Sequence, residues 1–138
     1  MKRGVLIGIL ILIILSIVSI IFFYPKIFVQ KEILEVELME ANPDGSSSGN
    51  AITTPSIEVS LWYADKNSGP PTAGISKTNE KGIATFEVPA GNYFIGFNEL
   101  NFPKEFVYPK FPYFDKTKMP AEVEPNSAPT VIISIFRK

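Results

Sequence analysis

The sequence predicts a mainly β chain: one N-terminal transmembrane α-helix followed by a small antiparallel β-sandwich. Three observations lead there. Val5 to Phe23 contains no charged residue. Beyond Pro25, short segments alternate apolar and polar residues with a period of two, the mark of strands buried on one face. Gly- and Pro-rich turns separate these segments, and no amphipathic helix lies between them. The chain accordingly divides into a short basic N-terminus (1–4), a transmembrane helix (5–24), a linker (25–31) and an extracytoplasmic sandwich (32–138) with an aromatic, proline-rich loop at 102–129.

As a helix, the run from Val5 to Phe23 rises about 28 Å at ~1.5 Å per residue, close to the ~30 Å hydrocarbon core of a bilayer. A cleavable secretory signal has a shorter apolar region, of ~7–15 residues, and a small-residue cleavage site. Here the run ends in Ile-Ile-Phe-Phe-Tyr, so an uncleaved anchor is the leading reading. Lys2 and Arg3 precede the run, while Lys26 and Lys31 follow it. The positive-inside rule counts these residues and tilts the N-terminus to the cytoplasm. Gly8, Ser16 and Ser19 are small residues that permit close approach of a partner helix.

In the first strand, Leu34, Val36 and Leu38 share one face and Glu35 and Glu37 the other. Ala41 to Asn50 is rich in turn formers and reads as a flexible loop. Ile57, Val59, Leu61 and Tyr63 alternate with Glu58, Ser60 and Trp62, which places Trp62 on the polar face, over a neighbouring loop or against a partner. Asp65 to Thr72 is a loop, Ile75 to Thr78 a short strand and Asn79 to Gly82 a tight turn. Two further strands follow, carrying Ala84, Phe86 and Val88, then Tyr93, Ile95 and Phe97. Thr130 to Phe136 is the last strand, with apolar residues on both faces.

Composition excludes much chemistry. There is no cysteine and no histidine, so the commonest nucleophile–base pairs and transition-metal ligands are missing. No enzyme activity, cofactor or metal is expected. Asp44 is the sole carboxylate of the 41–50 loop, too few for calcium. Without Lys2 and Arg3, 11 basic and 14 acidic residues remain, a net charge of −3, which argues against nucleic acid. High isoleucine and proline content without cysteine is in keeping with a thermophile or an archaeon.

Residues 102–116 form the oddest segment: Phe102, Phe106, Tyr108, Phe111, Tyr113 and Phe114, broken by Pro103, Pro109 and Pro112. Proline bars a segment from a central strand. These rings either cap the sandwich or form an exposed surface for a partner or for lipid headgroups. Aromatic rings serve both surfaces, because they offer large rigid contact area at low entropic cost. Lys104, Lys110, Lys116 and Lys118 accompany them, diluted by Glu105 and Asp115.

Two resemblances follow from these residues. Thr78-Asn-Glu-Lys-Gly82, then Phe86, Val88-Pro-Ala-Gly91 and Tyr93-Phe-Ile95, resembles the signature stretch of transthyretin-like sandwiches, including carboxypeptidase regulatory-like and Cna-B-type modules. That resemblance implies a fold and no particular function. Some Cna-B-type domains join a first-strand Lys to a last-strand Asn, but Thr130 to Phe136 has neither Asn nor Asp. Separately, Lys2-Arg3-Gly4 ahead of a long apolar helix resembles the class III signal of type IV pilin-like proteins, cut after the glycine. The glutamate of bacterial pilins is missing, as it often is in archaeal ones.

The sequence therefore predicts a non-catalytic single-pass membrane protein, an accessory or stabilising subunit of a larger membrane or envelope complex. Its expected contacts are membrane lipid and other membrane-protein subunits. The expected contact residues are Gly8, Ser16, Ser19, Trp62, Phe106, Tyr108, Phe111, Tyr113 and Phe114. The alternatives are a pilin-like filament subunit, and a tethered adhesion or carbohydrate-binding module with Trp62 and Tyr63 as stacking residues.

Overall fold

A computed structural model of the chain describes residues 3–23, 29–113 and 115–138. It contains two compact units, Met1–Gln30 and Lys31–Lys138. Among its described residues the first holds one helix, α1 (Arg3–Phe23), apolar on every face and long enough to cross a bilayer. Tyr24 and residues 25–28 of the expected linker lie outside the described residues.

The second unit is mainly β and consists of two four-stranded sheets. In chain order its strands are β1 (Lys31–Ala41), β2 (Ser47–Ala51), β3 (Glu58–Tyr63), β4 (Gly74–Lys77), β5 (Ile83–Pro89), β6 (Gly91–Phe97), β7 (Lys118–Val123) and β8 (Thr130–Ile135). One sheet is centred on β1. β5 and then β2 pair antiparallel along one edge of it, and β8 pairs parallel along the other. The second sheet has the order β4-β3-β6-β7, antiparallel throughout.

The alternation that predicts the strands is the alternation that fills the core. Leu34, Val36 and Leu38 of β1 are fully buried, as are Val59 and Leu61 of β3 and Ile95 of β6. Glu32 also points inward, and its Oε1 accepts a bond from the Asn126 backbone N–H at 3.1 Å, which ties the β7–β8 connection to the start of β1. Tyr93 is buried and its hydroxyl donates to the Pro89 carbonyl, so the Pro89–Gly91 turn is fastened by the ring that follows it. Burial pushes the Tyr93 hydroxyl up to about 12.

The Asn79–Gly82 turn is set by Asn79, whose Oδ1 accepts from the N–H groups of Lys81 and Ile83. Gly82 has φ +78°, and a Cβ there would lie 2.7 Å from the Ile52 carbonyl oxygen. Both the left-handed backbone and the close approach demand glycine.

Two expectations need correction. The 41–50 loop contains most of β2, built from Ser-Ser-Gly-Asn-Ala with no apolar alternation. It forms because it pairs with β1, Met39 to Ala51 and Ala41 to Ser47, across a bulge. The 102–129 loop contains β7, which carries Pro120. That proline is tolerated because β7 is an edge strand, paired among the described residues with β6 alone.

Candidate partner-binding surface

The aromatic, proline-rich segment splits into a buried and an exposed part. Phe106 is 1% exposed and belongs to the core. Its backbone bridges Arg137, whose guanidinium carbon sits 4.7 Å from the ring centroid while the guanidinium bonds Glu40. Phe102, Tyr108 and Phe111 are partly buried against the core. Phe97, Phe102 and Tyr108 meet edge to face, with centroids 5.4 and 5.3 Å apart, and the Tyr108 hydroxyl donates to the Phe97 carbonyl at 2.8 Å. Burial raises the Tyr108 hydroxyl above its ordinary range. Phe106 is therefore corrected from contact residue to core residue. Tyr113 is exposed, and Phe114 lies outside the described residues.

Of the two positions expected for Trp62, the structure shows the one over a neighbouring loop. Trp62 is 7% exposed, its indole N–H donates to the Gly69 carbonyl, and Lys118 Nζ lies 4.6 Å from its ring centroid. The 65–72 loop and Lys118 cover it, so it offers no open face to a sugar or a partner. Tyr63 packs instead on Tyr93, with centroids 5.5 Å apart. On α1, Gly8, Ser16 and Ser19 fall within roughly 80° of helix arc. Ser16 bonds the Leu12 carbonyl, and a Cβ at Gly8 would touch nothing within 4 Å. Gly4, four residues before Gly8, extends this small-residue face.

The surface that sequence reasoning missed is the free edge of β8. The Glu35 N–H donates to the Pro129 carbonyl at 3.0 Å. Bonding residues alternate along a parallel ladder, so Val131, Ile133 and Ile135 address β1. Ile132 and Ser134 therefore point their N–H and C=O groups away from it. At Phe136 and Lys138 this free side is closed, by bonds from the Val107 N–H to the Phe136 carbonyl and from the Lys138 N–H to the Glu105 carbonyl. Beyond Val107 the segment departs from β8 and leaves a cleft of about 560 Å³. β8 forms one wall, and Tyr108 to Tyr113 form the other. Ile132, Phe136, Val107 and Tyr113 are each 42–50% exposed around it.

Strand directions locate this cleft. β1 and β8 run parallel away from Lys31, and the cleft lies along Ile132–Phe136, toward their far end. Three cations, Lys104, Lys110 and Lys116, are exposed along the segment. Asp115 is already engaged by Lys118 at 3.3 Å and by the Thr117 hydroxyl, which holds its carboxyl below the ordinary range. Among the described residues, no three His, Cys, Asp or Glu side chains converge on a point.

No family model matches the chain, and neither does any curated protein. A solved structure, the Bacillus anthracis TIE protein, is similar over 78% of this chain at a TM-score of 0.54 and 18% identity. The match covers 18% of that protein, so this chain spans a small part of its length. The likeness extends to a β-rich fold.

Proposed function

We propose that this chain is a membrane-tethered, non-catalytic binding module, an accessory subunit of a larger membrane or cell-envelope complex. One observation carries the reading: a sandwich built behind a bilayer-length helix keeps an uncharged strand edge and large apolar side chains in water. Such a patch on a small domain usually marks association. The carboxylates of β1 add nothing catalytic to this reading, because Glu35 and Glu37 project from the outer sheet face and Glu32 holds a turn. In the proposal the N-terminus is cytoplasmic and the sandwich, of transthyretin-like kind, is extracytoplasmic. The small face of α1 would meet partner helices, and the cleft would meet a partner's outer domain.

Purification from native membranes in gentle detergent, followed by native mass measurement, tests it. The expected result is a defined complex with at least one other chain. A monomer with nothing bound would sink the proposal. Intact mass from the same preparation addresses the filament alternative, since loss of residues 1–4 is expected only of a processed pilin-like subunit.

A further inference from the structure

Edge strands are a hazard that proteins manage by shortness, charge or proline. Five strands bound the two sheets here, and four carry such a device: β2 is short, at five residues, and is interrupted by Gly49. β4 has four residues and ends on Lys77; β7 has Pro120 between Lys118 and Glu122; β5 has Glu87 and ends on Pro89. β8 reads Thr-Val-Ile-Ile-Ser-Ile, with no charge, proline or glycine. Its free side presents the N–H and C=O groups of Ile132 and Ser134 to the cleft rather than to a covering strand.

We infer that the cleft is a strand-addition site: an extended segment of a partner polypeptide pairs with the free edge of β8, beneath the Tyr108–Tyr113 wall. This deepens the accessory-subunit proposal and rests on it. Pairing would satisfy the Ile132 and Ser134 backbone groups, and alternate side chains of the guest would pack on the apolar walls. Charge selects the guest. Lys110 lines the cleft, Lys104 and Lys116 are exposed elsewhere on the same segment, and of its two acids Asp115 is occupied by Lys118, which leaves Glu105. The outer domain as a whole carries the opposite sign. Glu35 and Glu37 lie one strand further off, on β1. The fitting partner is therefore a segment that alternates apolar and acidic residues. A strand advances ~3.3 Å per residue, so the open stretch takes about three to five residues.

The test uses the full chain in detergent micelles and two labelled nonapeptides. One copies Glu32–Glu40, which has the required pattern; the other replaces its glutamates with lysines. The acidic peptide is expected to bind saturably, more weakly at high salt, and at least tenfold better than the basic one. Ser134→Pro removes an N–H that faces the cleft and leaves the ladder to β1 intact, so it should cost about tenfold in binding. Ile132→Asp, which keeps the backbone and sets a like charge against the acidic guest, provides a second reading should Ser134→Pro fail to fold. Equal binding of both peptides, unchanged binding in both variants, or no binding at millimolar peptide would each overturn the inference. So would a β8-to-β8 dimer or adsorption to anionic lipid vesicles abolished by the same variants. If the peptide fails while the native complex persists, strand addition falls and the subunit proposal stands. If the peptide binds but no chain co-purifies, the reverse holds.

Discussion

Truncating Phe106 to alanine separates the two roles of the aromatic segment. The ring is 1% exposed and packs beneath the Arg137 guanidinium. A buried phenylalanine removes about 150–250 Å² from water, which at ~25 cal/mol per Å² gives roughly 4–6 kcal/mol as an upper bound. Phe-to-Ala changes in cores cost about 3–5 kcal/mol, and the lost cation–π contact lies inside that range. We expect a loss of about 4 kcal/mol. Tyr113→Ala, at a 43% exposed ring, should stay within about 0.5 kcal/mol. The assay is urea unfolding of the full chain in detergent, followed by the fluorescence of Trp62, the single tryptophan. A Phe106→Ala cost below ~1 kcal/mol, or an equal cost for Tyr113→Ala, would refute the division into core and surface.

Gly82→Ala should destabilise by about 2–3 kcal/mol in the same assay, because it combines positive φ with a contact against the Ile52 carbonyl. Tyr93→Phe should cost about 1 kcal/mol for the lost bond to Pro89. The raised Tyr93 pKa also fixes a pH dependence. An unfolded tyrosine loses its proton near 10.0 and the folded one near about 12, so the unfolded state releases its proton first. Stability falls as pH rises through that window, and Tyr93→Phe should flatten the fall. Lys118→Met should shift the Trp62 emission and cost about 1 kcal/mol, since the ammonium of this largely buried side chain lies over the indole, pairs with Asp115 and donates to the Asn67 carbonyl.

The strands with a buried face were legible because burial writes a period of two into the sequence. Leu34, Val36 and Leu38, or Tyr93, Ile95 and Phe97, announce both the strand and its orientation. β2 leaves no such trace: Ser47–Ala51 gains its conformation from the Met39–Ala41 edge it pairs with. β7 was hidden by Pro120, which excludes a central strand and is harmless at an edge. The aromatic segment could be recognised as unusual, but ring content alone does not separate Phe106 from Tyr113. Their difference is tertiary, set by the bridge to Arg137 that pulls one ring inward. The free side of β8 was invisible for a related reason. Thr130 to Phe136 reads as a strand with two covered faces, and only the pairing parity with β1 reveals which amides point into the cleft.

The central claim is that the β8 cleft receives a partner polypeptide, and site-specific photo-crosslinking in native membranes tests it most directly. A photoreactive residue placed at Ile132 or Tyr113 should join the chain to one defined protein, while the same residue at Asp65, away from the cleft, should not. Crosslinks at Ile132 and Tyr113 confined to lipid or to other copies of this chain would contradict the account, as would an equal yield from Asp65.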